Sequence, residues 1–583
     1  MVAGYERDLM GWMSSPGVST RPLQPARFSS SDQRIWHKSW FRALIIFTVA
    51  VAVRIPFRAI YLVNWDSVNF ALGVETFNLE THQPHPPGYL GYVLLGRLID
   101  WIVGDPVVAL TAISIVAGAV ATAGIYLLAI RIVSERAALI AAGLFGTSPL
   151  VWYYSEVALT YIVEVALALP LAILVLEARR HRRESLLLAA AVLLALMGAV
   201  RQTSLMLFLP LLVYGALAFP AKVRIRVGVT LGGLVTIWLI PLLVMSGGPL
   251  NYLRLSAELA ELTGGATWLG AGAGVLQNVI VVSTALALGM HVALVAIPLE
   301  IATGTPSTPI VGEHRRFLAV WGIPPLLTYL LIHSGQMGYV LVLLPIGIMW
   351  AAKVFDSHVS VPALRTALVG VLLAVNGLGF FILPEIAYAT VSRGQVKFPE
   401  KMATDDLVKR GIQQISLPRN DAYWSALLDW IDQFDSDEVV VLAEPRDGGS
   451  FRHLSFYRPD LLIYGLGNDR HGTFGYLFTS ANQHTDYNVE SLDEVTRKLD
   501  FPDSVHKILI PDPRLQERLE DVLELDYEML ETGDIAAIAE VPGEHSIRFV
   551  GSAGIAVLPI SSPDSDDMGQ VVDSQELLRA RYP

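Results

Sequence analysis

The chain contains about eleven apolar runs, each near the length that crosses a lipid bilayer. They lie near 43–63, 107–130, 137–153, 157–177, 185–200, 203–220, 227–246, 274–300, 317–333, 337–353 and 363–383. A hydrocarbon core is matched by roughly 20 apolar residues in a helix. Lipid offers no partner for an open backbone, so such runs fold as helices. The expected fold class is therefore mainly α, a polytopic helical membrane protein. A twelfth run, 88–103, is apolar but short, and it carries Arg97 and Asp100.

Charge asymmetry orders these segments. The basic loops hold Arg131 and Arg136; Arg179, Arg180, Arg182 and Arg183; Lys222, Arg224 and Arg226; Arg315 and Arg316; and Lys353 and Arg365. If 88–103 does not cross, all five share the side of the N-terminus, the cytoplasmic side by the positive-inside rule. The short run is then expected to be an interfacial or re-entrant helix. Residues 64–106, 153–156, 201–202, 247–273 and 334–336 then face outside. Arg54 and Arg58, late in the first span, strain this assignment slightly.

Composition separates a second region. Residues 1–400 carry a net charge of +6 and residues 401–583 one of −18, giving −12 overall. In the acidic part, 421–434 has helical apolar spacing, and 438–444, 461–465, 506–510 and 534–541 read as short strands. A charged helix is expected over 513–529. Strands alternating with helices suggest a small α/β domain. The expected organisation is a cytoplasmic N-terminal tail over 1–40, a membrane domain over 41–385, an extracytoplasmic α/β domain over 386–560 and a flexible tail over 561–583. The chain has no cysteine, which excludes disulfides, thiolate metal sites and a cysteine nucleophile. Its scattered basic residues leave no nucleic-acid footprint.

The first outer loop is unusually rich in ionisable groups. It reads NWDSVNFALGVETFNLETHQPHPPGYL over 64–90, with Asp66, Glu75, Glu80, His82 and His85. A helix over 66–80 would set Asp66, Asn69 and Gly73 on one face. It would set Phe70, Val74 and Phe77 on another, as in an amphipathic helix lying on a membrane. Glu75 and Glu80 are assigned to its solvated side, and His82 to the loop. Other outer segments hold Glu156 in SPLVWYYSEVALTY (148–161), Arg201 and Gln202 in GAVRQTSLMLFLP (198–210), and His333, Gln336 and Tyr339 in HSGQMGYVLVLLP (333–345). Ionisable groups at helix ends in a membrane usually face a cavity. A carboxylate, an arginine and amide donors around one cavity suit an anionic lipid headgroup and an acceptor hydroxyl. Asp66, His82 and His85 carry donors that suit Zn²⁺ or Mn²⁺, but their spacing fits no specific metal motif.

These residues give the chain a resemblance. Asp66 after the first span, HPPGYL at 85–90, Ser148-Pro149 with Glu156, Arg201 between paired helices, and GQMGYVLVLLP at 335–345 are similar to the C-type membrane glycosyltransferases. The likeness covers roughly 40–385. It lies near the bacterial relatives of the protein O-mannosyltransferases and the lipid A aminoarabinose transferases. The resemblance implies interfacial helices in the first outer loop and a polyprenyl-phosphate sugar as donor. It implies Asp66 as general base towards an acceptor hydroxyl. Arg201, with Arg54 and His85 behind it, is the expected contact to the donor phosphate. Glu156, Gln202, Gln336 and Tyr339 are the expected substrate ligands. No cofactor is implied. The partners are membrane lipid, the lipid-linked sugar and a glycan, lipid or protein acceptor, and the setting is a bacterial cytoplasmic membrane.

Two positions depart from the relatives. Ser67 follows Asp66 where the mannosyltransferases often carry a second acid, and His85 stands where the aminoarabinose transferases carry lysine. The resemblance therefore names a reaction class but not the acceptor. A transporter or flippase, and a non-catalytic sensor built on the α/β domain, remain open on the residues alone. Transporters often show internal repeats and broken helices near the midplane; no repeat is visible here.

Overall fold

The structure is a computed structural model; it describes residues 30–262, 272–304, 312–332, 336–359, 361–392, 416–443, 450–468, 475–479, 498–520, 523–543, 545–550 and 556–558. Residues 1–29 of the expected first tail, the whole of 561–583, and His333 lie outside these. In the described residues the membrane region is built of helices joined by turns. Its helices are α1 (Ser30–Arg54), α2 (Trp65–Glu75), α3 (Leu90–Val103), α4 (Pro106–Ala129), α5 (Glu135–Gly146), α6 (Pro149–Tyr154), α7 (Tyr161–His181) and α8 (Glu184–Val200). Then come α9 (Thr203–Ala216), α10 (Ala221–Met245), α11 (Pro249–Leu262), α12 (Gly272–Met290), α13 (Ala296–Thr303), α14 (Gly312–Leu331), α15 (Leu344–His358) and α16 (Pro362–Ser392).

Among the described residues, six helical stretches are long and apolar enough to cross a membrane: Lys38–Phe57, Pro106–Ala129, Tyr161–His181, Ala221–Met245, Asn278–Thr303 and Pro362–Ile386. α8 and α9 are apolar but shorter. The runs expected at 137–153 and 337–353 are each broken. The first divides at Thr147-Ser148, where Pro149 restarts the helix as α6. Proline lacks the amide to continue the preceding helix. The second opens with a 3-10 turn, Met337–Val342, before α15. α4 and α7 are buried along most of their length, whereas α1, α10 and α16 leave most of theirs exposed. α4 packs against α1, α5 and α7, and forms the centre of the bundle.

The short run becomes α3, 14 residues long. At about 1.5 Å per residue it is roughly 21 Å, less than a hydrocarbon core. One side exposes Leu94, Leu98, Trp101 and Ile102. On the other, Arg97 donates to the carbonyls of Val74 (2.8 Å) and Gly73 (3.1 Å) at the end of α2. A cation there satisfies carbonyls that the helix leaves unpaired.

α2 differs from the expected 66–80 helix in length and in setting. It ends at Glu75, and Thr76 turns extended. Asn78 then pairs with Gln83 through backbone bonds of 2.6 and 2.7 Å, closing a tight turn. α2 is also no surface helix: Ser67 through Val74 are all buried. Phe70 packs edge-on against Tyr89 and Tyr92 (5.0 and 4.9 Å), so the apolar face meets protein. Gly73 lets Pro84 close on it, since a Cβ there would lie 2.9 Å from the proline ring.

The start of α2 explains Ser67. Asn64 Oδ1 accepts from the Ser67 amide (3.0 Å), and Ser67 Oγ accepts from the Asn64 amide (3.1 Å), a reciprocal capping box. The same hydroxyl donates to the Asn64 carbonyl at 2.6 Å. Ser67 builds the turn that aims Asp66. Ser67→Ala is expected to cost about 1 kcal/mol of local helix stability. Hydrogen exchange would read this as roughly fivefold faster exchange of the α2 amides.

The C-terminal region forms α17 (Leu417–Ile431), β1 (Val439–Ala443), α18 (Ser450–Tyr457), β2 (Leu462–Asn468), β3 (Gly475–Thr479), β4 (Lys498–Asp500), β5 (Lys507–Ile510), α19 (Pro513–Leu519), β6 (Asp526–Met529), β7 (Ile535–Glu540), β8 (Ser546–Val550) and β9 (Ala556–Leu558). The main sheet has the order β3-β2-β1-β5-β7-β6, and β4-β8-β9 forms a second one. β2, β1 and β5 are parallel, and β7 adds antiparallel to β5. The helix expected over 513–529 stops at Leu519. Its far end is β6, where Tyr527 and Met529 pair with Ala537 and Ile535 of β7. α16 runs past 386, the expected start of this domain.

The domain is bonded to the segment that follows α1. The Asp421 carboxylate accepts from the amides of Ile60 (3.1 Å) and Tyr61 (3.0 Å). Tyr457 Oη accepts from the Leu62 amide at 2.7 Å. Glu385, near the top of α16, accepts from Ser416 and Arg419 (2.9 and 2.6 Å).

Candidate active site

Asp66 lies in the first turn of α2. A negative charge is favoured at that end of a helix. Its Oδ2 accepts from Gln336 Nε2 at 2.7 Å, a bond across 270 positions of sequence. Its Oδ1 faces His85 Nδ1 at 3.7 Å, beyond hydrogen-bond distance. One carboxylate oxygen is thus held and the other remains for a further donor. The Asp66 side chain keeps 29% of its surface exposed.

His85 is buried, its ring 5.4 Å from Phe70 and 5.0 Å from Tyr89. Burial lowers its pKa; Asp66 opposes this, and Arg201 and Arg452 reinforce it. His82 is pushed down to about 3 by burial, with His85 and Arg452 adding to the effect. Both imidazoles are therefore neutral near neutral pH. His85 can offer a phosphate a hydrogen bond but no charge.

Arg201 follows α8 in extended conformation. Its Nη1 donates to Thr160 Oγ1 (3.0 Å) and its Nε to Thr203 Oγ1 (3.2 Å). Nε also lies 3.6 Å from Glu164 Oε2. The guanidinium sits 4.5 Å from the Tyr161 ring centre and 4.8 Å from that of Tyr339. Both charges of the pair are deeply buried, with 5% of Arg201 and 2% of Glu164 exposed. Ser204 Oγ donates to Glu164 Oε1 at 2.5 Å. His85, Tyr89 and Tyr161 each lie within electrostatic reach of both Asp66 and Arg201, which makes these groups one cluster.

Two turns frame the cluster. The Pro87 carbonyl accepts from Gln202 Nε2 (3.1 Å) and from Tyr252 Oη (3.2 Å), which ties HPPGYL to α9 and α11. In the 3-10 turn, the Gly338 amide donates to Tyr154 Oη at 2.8 Å. A Cβ at Gly338 would fall 2.5 Å from the Tyr161 ring, so only glycine lets Tyr154 and Tyr161 close on that turn. That closure holds Gln336 and Tyr339 over the cluster.

The expected residues thus fall into two groups. The structure gathers Asp66, His85, Arg201, Gln336 and Tyr339, with Gln202 on the adjoining turn. Arg54 and Glu156 form a separate buried group. Arg54 donates to the carbonyls of Ala50 (3.0 Å) and Gly146 (2.8 Å), and its guanidinium lies 5.6 Å from the Trp152 ring. Burial raises the pKa of Glu156 to about 8, against the pull of Arg54. Among the described residues no three His, Asp or Glu side chains gather as metal ligands, Asp66, His82 and His85 included.

Sequence reasoning missed Glu164, Tyr161 and Tyr89. Glu164 carried a signal, a lone carboxylate inside the apolar run YIVEVALALP. The tyrosines carried none beyond an aromatic belt. Gln336→Leu removes the amide that bonds Asp66 Oδ2. Turnover is expected to fall about tenfold, with donor affinity nearly unchanged. Parallel measurement of kcat and donor Kd checks this split.

The family model described as dolichyl-phosphate-mannose-protein mannosyltransferase matches residues 85–245. No curated protein matches the sequence. The apo structure of ArnT from Cupriavidus metallidurans is similar over 88% of this chain and 98% of that one, with a TM-score of 0.51 at 12% identity. The same protein bound to undecaprenyl phosphate covers the same shares, with a TM-score of 0.48 at 12% identity. The oligosaccharyltransferase AglB from Archaeoglobus fulgidus, in complex with an inhibitory peptide and a dolichol-phosphate, has a TM-score of 0.41 at 14% identity over 87% of this chain and 74% of that one. The match to apo ArnT gives this polytopic membrane protein the C-type glycosyltransferase fold that its motifs resembled.

Proposed function

We propose that this chain is a membrane glycosyltransferase that moves a sugar from a polyprenyl-phosphate donor to an acceptor hydroxyl at the outer face of a membrane. The observation that carries this is Asp66: a partly exposed carboxylate, held at one oxygen by Gln336, in one cluster with a buried arginine among tyrosines. The matched family and the lipid phosphates bound by ArnT and AglB support the same donor class.

The chemistry follows from the placement. The acceptor hydroxyl donates to Asp66 Oδ1, which takes its proton as the oxygen attacks the anomeric carbon. The new bond forms opposite the bond to the phosphate oxygen, and the polyprenyl phosphate leaves with the bonding pair. A phosphate leaves as a stabilised anion, so no general acid is required. Arg201 is the cation for that charge. Nε and Nη1 already bond threonine hydroxyls, which leaves Nη2 to meet the phosphate with a single contact. His85 adds a neutral donor. Gln202 and Tyr339 line the substrate side. Arg54 and Glu156 support the bundle behind it, and Glu156 holds a proton at neutral pH.

The basic loops support an orientation with the N-terminus inside and the α/β domain outside, in a bacterial cytoplasmic membrane. The reaction needs no metal. The reading is tested by supplying the purified chain, in lipid nanodiscs, with a panel of polyprenyl-phosphate sugars and candidate acceptors. Release of polyprenyl phosphate, unchanged by EDTA, is the expected result. Binding of every donor without release across the panel would turn the reading towards transport.

A further inference from the structure

The α/β domain meets the candidate site at α2, where Trp65 packs against the domain's core and Arg452 binds the polar groups. Arg452, in α18, has no exposed surface. Its Nε donates to Asn69 Oδ1 at 3.0 Å, 383 positions away in sequence. Its Nη2 donates to the Thr81 carbonyl and, at 3.4 Å, to that of His82. The guanidinium lies 5.4 Å from the centre of the Trp65 ring. These four partners flank the two reacting elements. Trp65 and Asn69 bracket Asp66 on α2, and Thr81 and His82 begin the segment that ends at His85.

We propose that Arg452 is a positioning residue: it fixes the separation of Asp66 and His85, which makes the α/β domain a working part of the active site. Geometry supports this over a role in domain attachment alone. Attachment already rests on Asp421 and Tyr457, which take the amides of residues 60–62, and on Glu385 with Arg419. Arg452 lies beyond those anchors and bridges α2 to the segment that follows the Asn78–Gln83 turn, adding a polar tie to the Gly73–Pro84 and Phe70–His85 contacts. Asn69 is buried, and its side-chain oxygen takes the guanidinium. A planar fork can bridge a side-chain amide and two carbonyls at once, whereas an ammonium presents a single point.

The kinetic half of the test rests on the transferase reading; the exchange half does not. Full-length Arg452→Gln, Arg452→Lys and Arg452→Ala would be prepared in nanodiscs beside the wild type. Hydrogen exchange over 64–85 is expected to quicken at least about tenfold in Arg452→Gln, while β1 and β5 keep their wild-type protection. On the donor that the wild type uses, kcat is expected to fall about 10- to 100-fold with donor KM within about threefold, the pattern of a misplaced base. Arg452→Lys is expected between Gln and wild type, and millimolar guanidinium to restore part of the rate in Arg452→Ala. Unchanged exchange over 64–85, or a kcat within twofold of wild type, overturns the proposal. So does equal loss of protection in β1 and β5, because Arg452 would then only hold its own domain together. If the wild type turns over no donor, the exchange result alone decides.

Discussion

Asp66→Asn is expected to lower turnover by about 10² to 10⁴, the usual contribution of a general base, and to leave donor affinity within about threefold. The substitution keeps size and shape. Gln336 can still meet the side chain across the 2.7 Å contact, with its amide turned over. What is lost is the capacity to take a proton. The pattern to look for is an unchanged donor Kd with polyprenyl phosphate release near background. A variant within tenfold of wild type would move the base elsewhere. Glu164 is a poor substitute, because only 2% of its side chain is exposed and it already faces Arg201.

The second large effect is at Arg201, and it needs two variants to read. Arg201→Met leaves Glu164 as a buried carboxylate without its cation. Breaking a buried pair in this way costs about 3–5 kcal/mol. Loss of activity in that variant would report lost folding and lost chemistry together. Arg201→Met combined with Glu164→Gln removes both charges. Its thermal stability in nanodiscs is expected to return to within about 1 kcal/mol of wild type. Transfer is expected to stay down about 100-fold or more, because one charge-assisted hydrogen bond to phosphate is worth roughly 1.5–3 kcal/mol and its loss also weakens the departing anion's stabilisation. A double variant that is stable and active within tenfold would remove Arg201 from the donor site. Stability regained with donor binding lost is the outcome that assigns it there.

Much of the fold was legible because burial in lipid leaves a strong linear trace. α4, α7, α10 and α16 coincide with apolar runs, and the short run at 88–103 stays too short to cross. The strands at 439–443, 507–510 and 535–540 fall where β-branched residues cluster. The breaks were harder to see. Ser148-Pro149 lies inside a run whose hydropathy continues, and hydropathy does not register a missing amide. The helix read over 513–529 stops at Leu519, and its far end is the strand in which Tyr527 and Met529 pair with β7.

The site was legible in part for a similar reason. Asp66, His85, Arg201 and Gln336 are polar groups at helix ends, and such groups stand out against an apolar background. The partners that set their chemistry do not. Glu164 reads as one acid in a long span, and only the fold brings it to Arg201. α2 carries an amphipathic pattern that fits a membrane surface. Its second face is covered by α18, from a domain nearly four hundred residues later, and no local pattern records that contact.

That distance also sets a timetable for making the protein. The amides of Ile60, Tyr61 and Leu62 and the side chain of Asn69 find their partners only in residues 421–457. At about 5–20 residues per second, the 383 positions between Asn69 and Arg452 take roughly 20 to 75 seconds to synthesise. During that interval the first loop has been delivered but its scaffold has not. A nascent chain is therefore a membrane protein before it is an enzyme, and activity should appear only once the last domain has been delivered and folded against the loop.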